Sequence, residues 1–219
     1  GLAPKMVAER AALYVADPIN LTASFTYPAT SLVSYLFQRV PGQFYEWQCL
    51  AGLDILFLAC IAPAAAMPRK NWAGAVLVFA AGFLLPFFFS VVPAGTPSTI
   101  YANAMADPPL ALLFGGTLCL YAAAGGRKTG FFACAMPLAV LTMTKDIGFA
   151  YALIVTFLIG LDQLVGTPHP DTKPARIFGV SLAKCSILAA VVLAVFISWN
   201  RYTAAVTPTK TTGASVGTA

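Results

Sequence analysis

Charge is what this sequence has least of. Only 13 of its 219 residues are Lys or Arg and 8 are Asp or Glu, together 10%, against the roughly 25% usual in soluble domains. The basic residues are scattered and the net charge is only +5, so no basic tract can neutralise a phosphate backbone and nucleic acid is excluded as a partner. There is one histidine, His169, which leaves no His pair to hold a metal. The five cysteines, Cys49, Cys60, Cys119, Cys134 and Cys185, lie in or beside apolar runs without CxxC spacing. They read as core thiols rather than ligands or bridges. No period repeats along the chain. It opens without Met and without a basic segment leading into an apolar one, so Gly1 reads as a cut inside a loop.

What the sequence has in excess is hydrocarbon. Hydrophobic residues make up 59% of the chain and the mean hydropathy is +0.79, which places it among membrane proteins with the lipid bilayer as its surroundings. The predicted fold is all-α: a polytopic transmembrane helical bundle of about six membrane helices, with short interfacial helices before the first span. Three regions follow from the composition. Residues 1–46 form an external, interfacial segment, residues 47–199 the helical bundle, and residues 200–219 an external tail or the start of a further segment.

The spans are marked by their interruptions. Gln48 to Met67 rises about 30 Å, enough to cross, and carries Asp54 two turns in, where an acid must face protein or a wet cavity. Arg69 and Lys70 close it, and Trp72 to Val92 returns. A loop without Lys or Arg follows, and Pro108-Pro109 starts the next span, which reaches Ala124 before Arg127-Lys128. Short basic loops stay on the inner side, so residues 1–46 and 93–109 are expected outside. Before the first span, Leu32, Tyr35, Leu36 and Val40 share one face of a short interfacial helix.

Phe131 to Val165 is too long for one crossing, at about 52 Å. Lys145 and Asp146 stand in its middle. As neighbours they point to different faces and could not neutralise each other inside one continuous helix. The reading is therefore two helices broken at Lys145-Asp146, the first too short to reach the far headgroups. Lys145 is then held below the external surface, in a cavity open to the outside. Ile177 to Trp199 is the last span, with Lys184 near enough to its end to snorkel back.

Three segments, Tyr27-Pro28-Ala29-Thr30-Ser31-Leu32 with Tyr35, Ala106-Asp107-Pro108-Pro109-Leu110-Ala111, and Leu141-Thr142-Met143-Thr144-Lys145-Asp146-Ile147-Gly148, resemble parts of GT-C-type membrane glycosyltransferases. These multispan enzymes take sugar from a polyprenyl-phosphate donor on the external or lumenal face. The resemblance covers roughly residues 20 to 165, in short and mostly apolar motifs. It implies a polyprenyl-phosphate-linked sugar as substrate, with Asp107, Lys145 and Asp146 as catalytic residues and Tyr27, Arg39, Glu46 and Arg201 as substrate-binding ones. In such enzymes the base is usually a carboxylate in the first external loop, after a span that this chain lacks. That leaves the principal acid upstream of Gly1 or at Glu9 or Asp17. A divalent metal at Asp107 stays open, although no second carboxylate lies near it in sequence. Two other classes also stay open: a transporter path lined by Asp54, Asp107, Lys145 and Lys184, and a non-catalytic subunit among other membrane subunits. For the last, Lys145 is simply a structural partner of Asp146 or Asp107.

Overall fold

In a computed structural model of the chain the described residues are 28–38, 45–67, 71–88, 107–126, 129–165 and 174–206. The expectations for Glu9, Asp17, Tyr27, Arg39, the basic pairs at 69–70 and 127–128, His169 and most of the 93–109 loop lie outside them. Within them the chain is all-helical: α1 (Pro28–Gln38), α2 (Glu46–Ala66), α3 (Trp72–Phe88), α4 (Asp107–Ala123), α5 (Gly130–Thr142), α6 (Gly148–Val165) and α7 (Pro174–Val206).

Among the described residues fewer helices can cross than the about six membrane helices expected. Three helices are long and apolar enough to cross a membrane on their own: Glu46–Ala66, Gly148–Val165 and Phe178–Ala205. The apolar stretches Trp72–Leu84 and Gly130–Thr142 are shorter, and the 13 residues of α5 rise only about 20 Å against a hydrocarbon core of about 30 Å. The apolar surface fits lipid. Trp72 is 81% exposed, and Leu77 on α3, Phe157 and Leu161 on α6, and Leu182, Ile187 and Leu193 on α7 also point outward. Such area is far more than a monomer exposes to water.

The short helix α5 is the centre of the bundle, packed against α4, α6 and α7. Its Cys134, Leu138 and Leu141 are fully buried, in a core with Leu110 and Leu113 of α4, Ala152, Val155 and Ile159 of α6, and Leu188 and Val192 of α7. Polar side chains inside this core satisfy themselves locally. The Thr142 and Thr156 hydroxyls donate to the carbonyls of Leu138 and Ala152, one turn back, at 2.8 and 2.9 Å.

α4 ends in a glycine cap that reverses the chain. The Gly126 amide donates to the Tyr121 carbonyl at 2.8 Å and Gly125 to Ala122 at 3.3 Å, a pattern that needs the left-handed φ values of 97° and 54° found there. Directly after the turn α5 starts hard against α4, since a Cβ on Gly130 would lie 2.2 Å from the Tyr121 carbonyl oxygen.

The contacts of α1 are the reverse of a soluble amphipathic helix. Its buried face carries Ser31, Ser34 and Gln38, while Leu36 is 64% exposed. The Ser34 hydroxyl donates to the Cys49 carbonyl at 3.3 Å, and Gln38 donates to the Tyr45 carbonyl and accepts from the Tyr45 amide at 2.9 Å. Polar groups pair with the protein, Phe37 packs on Gly52 of α2, and Leu36 faces outward, which suits a helix surrounded by lipid.

Gly130→Ala should lower stability by about 1 to 3 kcal/mol, because the added methyl meets backbone rather than a movable side chain. Gly115→Ala, where nothing lies within 4 Å of the added atom, is the neutral control. Unfolding midpoints in the same detergent compare the two.

Candidate functional site

The predicted break between α5 and α6 is present, and its local chemistry is plain. At the end of α5 the Met143 amide donates to the Val140 carbonyl at 3.0 Å and the Thr144 amide to Leu141 at 3.2 Å. The Thr144 hydroxyl adds a second bond to Val140 at 2.8 Å. Carbonyls that would be orphaned at a helix end in hydrocarbon are thus closed off. The Met143 carbonyl itself accepts from the Ala29 amide at 3.0 Å, so the first turn of α1 is tied to the break. α6 restarts at Gly148, where a Cβ would lie 2.2 Å from the Leu141 carbonyl oxygen. No bulkier residue fits so tight a return.

Lys145 and Asp146 lie on this turn. The Lys145 ammonium pairs with the carboxylate of Asp107, the first residue of α4, and the two side chains are 44% and 66% exposed. Lys145 therefore meets the acid 38 positions away and not its neighbour in sequence. The exposed setting makes the pair weak as a structural tie, worth roughly 0 to 1 kcal/mol. Asp107 also gains from the amides of the helix start it occupies. Asp146 is exposed on the same turn. The three residues expected to be catalytic are thus at one end of the bundle.

That end is stepped. The rings of Phe149 and Phe196 stack with centroids 4.2 Å apart, so the ten further residues of α7 to Val206 carry it about 15 Å beyond the first turn of α6. The last of these residues include Arg201, exposed on the helix rather than in a tail as expected; α7 runs past the predicted end at Trp199. α1, bonded to both Met143 and Cys49, puts the starts of α2 and α4 at the same end. A Cβ on Gly116 would lie 2.7 Å from the Cys60 carbonyl oxygen, and counting back along both helices from that contact carries α2 about 7 Å beyond Asp107. Glu46 stands exposed at that raised end. Lys145 and Asp107 therefore sit on a floor below α2 and α7. Tyr27 and Arg39 lie outside the described residues.

Asp54 remains as awkward as its position predicts. One carboxylate oxygen is buried without a hydrogen-bond partner among the described residues, eight residues into α2 and so about 12 Å from its start. Its helix face is that of Ile61, which packs on Gly82 of α3, and not that of Cys60, which meets α4. Asp54 is thus separate from the Lys145 pair, and the described residues hold no cluster of acids, His and Cys able to bind a metal.

The opposite end holds a polar cluster that reading the sequence did not assemble. The Tyr121 hydroxyl donates to Asp162 at 2.7 Å, the Gln163 amide donates to that hydroxyl at 2.8 Å, and Lys184 donates to the Gln163 side-chain carbonyl at 3.3 Å. The Ser181 hydroxyl reaches the Gln163 backbone carbonyl at 3.3 Å, and Lys184 also lies 5.6 Å from the centre of the Phe131 ring. This clasp joins α4, α6 and α7, with buried Gln163 bonded at both ends of its amide. The only signal in sequence was that each member stands within about two turns of an apolar helix end, which fixes depth but not partners.

Removing the centre of the clasp should be felt. A double-mutant cycle of Tyr121→Phe and Gln163→Leu is expected to give a coupling of about 0.6 to 1.7 kcal/mol in detergent unfolding, and additive effects would show that the pair contributes nothing jointly. Asp54→Leu is expected to raise the unfolding midpoint, since it removes a hidden acceptor left unpaired at a cost of about 1 to 3 kcal/mol; a lowered midpoint would mean that Asp54 has a stabilising partner. Comparison with family models, with curated proteins and with solved structures gives no match for this chain.

Proposed function

We propose that the chain is part of a membrane glycosyltransferase that moves a sugar from a polyprenyl-phosphate donor to an acceptor on the external or lumenal face. The observation that supports this most is the exposed Lys145–Asp107 pair on a floor below the ends of α2 and α7. A cation and carboxylates at that depth are reachable by a polar group from water while the surrounding helices face lipid. A lipid-linked sugar phosphate has the same division between a polar end and an apolar end.

In this reading a carboxylate takes the proton of the acceptor hydroxyl, and the freed oxygen forms a bond to the anomeric carbon. The bond from that carbon to the phosphate oxygen breaks, and its electron pair leaves with the lipid phosphate. Lys145 lies where it can stabilise the charge the phosphate gains. Asp107 holds the Lys145 ammonium in place until a substrate phosphate competes for it. Asp146 is the exposed carboxylate beside the pair, and Arg201 and Glu46 stand on the surrounding helices as contacts for sugar or phosphate.

A second reading rests on a specific observation as well. Lys145 already has a partner in Asp107, which is also what a non-catalytic subunit of a larger assembly would need to neutralise a charge at the bundle end. The two readings separate on one substitution. In membranes supplied with a polyprenyl-phosphate sugar, Lys145→Ala is expected to lower transfer by about 100-fold or more, the scale of losing one stabilising charge at a transition state, without loss of folded protein. Transfer at the level of the unaltered protein would remove Lys145 from the reaction and leave the subunit reading.

A further inference from the structure

The outer surfaces of α6 and α7 meet along a groove of 340 Å³, lined by Leu153, Phe157, Gly160, Leu164, Leu182 and Cys185 among others. At its floor the two helices approach closely, where a Cβ on Gly160 would lie 2.9 Å from the Cys185 sulfur. Larger side chains on either side, with Phe157 and Leu182 both well exposed, stand up as walls. None of the lining residues is charged. One end of the groove lies at Leu164 and Ser181, beside the clasp of Gln163, Lys184, Tyr121 and Asp162, where polar groups mark the limit of hydrocarbon. From there it runs inward to Leu153.

The geometry points to a single acyl chain of a bilayer phospholipid as the occupant, entering from the clasp end. Length and width both select it. From Leu164 to Leu153 the groove is about 16 Å long, which matches one leaflet of a core about 30 Å thick. Spread over that length its empty volume, about 790 Å³ with the open mouth included, gives a channel at most about 8 Å wide, whereas a helix needs about 10 to 12 Å. A hydrocarbon chain, whose carbons pack at about 3.5 to 4.0 Å from their neighbours, fits that width. The polar clasp leaves the headgroup at the level of Lys184 and Asp162. A chain held there fills a seam that Gly160 leaves open and braces α6 against α7 at the end away from Lys145. This inference is independent of the reaction assigned to the Lys145 end.

The test uses the full chain in nanodiscs of phosphatidylcholine containing a fraction that carries a photoreactive diazirine midway along one acyl chain. After irradiation, adducts are expected to be several-fold more frequent on residues 153–164 and 178–189 than on the outward face of α3 at Leu77 and Phe79. Leu182→Trp, which fills the groove, should bring them down to the α3 level. A wild-type measurement guards against a variant that fails to fold. With Cys185 as the only cysteine, alkylation by an apolar maleimide is expected to be several-fold slower in lipid-replete protein than in delipidated protein. Even labelling of α3 and the groove, equal alkylation rates with and without lipid, or a second polypeptide cross-linked at the groove would each overturn the proposal.

Discussion

A polar group inside hydrocarbon must be paired within the protein, and the break between α5 and α6 is where that constraint acts most visibly. The chain turns at Met143–Ile147, between two apolar helices, and closes its own carbonyls with the Met143 and Thr144 amides and the Thr144 hydroxyl. The turn in turn fixes α5 as a short central helix, brings Lys145 to Asp107, and gives α1 its anchor at the Met143 carbonyl. Glycine makes each of these returns possible. Gly148 lies against the Leu141 carbonyl and Gly130 against that of Tyr121, so α5 is gripped by backbone contacts at both ends.

The two ends of the bundle differ in kind. At the Lys145 end the charges are exposed and loosely paired, beneath overhanging helices. At the other end Tyr121, Gln163 and Ser181 are buried and bonded in a chain that ends at Lys184 and Asp162. Exposed, weakly held charge is available for a ligand, whereas a buried and satisfied network specifies one arrangement of helices. The first end therefore supports a functional reading and the second reads as the fastening that keeps α4, α6 and α7 in place. Asp54 belongs to neither end. A hidden carboxylate oxygen without a partner among the described residues works against stability, the usual mark of a position kept for another reason.

Helix ends were legible in the sequence and partnership was not. A run of apolar residues interrupted by Lys145-Asp146 allows few solutions in a bilayer, and the break follows from helix rise and charge alone. The same reasoning set Asp107 at the start of α4 by its two prolines and made Asp54 conspicuous. The choice between Asp146 and Asp107 as the mate of Lys145 needed the α4–α5 hairpin, whose registry depends on the Gly125-Gly126 cap. The Tyr121–Gln163–Lys184 clasp draws residues from three helices separated by loops, and no local pattern announces it. For α1, hydrophobic spacing predicted a helix from Ser31 to Val40 and one is present at Pro28–Gln38, but the inward face of Ser31, Ser34 and Gln38 becomes intelligible only when lipid rather than water is the surrounding medium. The expected number of crossings exceeds the three helices that are long and apolar enough to span among the described residues, whereas the shortness of α5 followed from the break at Lys145-Asp146.

The account depends on the Lys145 turn being reached by water from the end at which α2 begins. In a cysteine-free background reconstituted in sealed vesicles, a membrane-impermeant thiol reagent added from one side should modify both Glu46→Cys and Asp146→Cys, while Thr129→Cys, at the opposite end of α5, reacts only from the other side. Modification of Asp146→Cys and Thr129→Cys from the same side would contradict the account, because α5 would then not separate the two ends of the bundle.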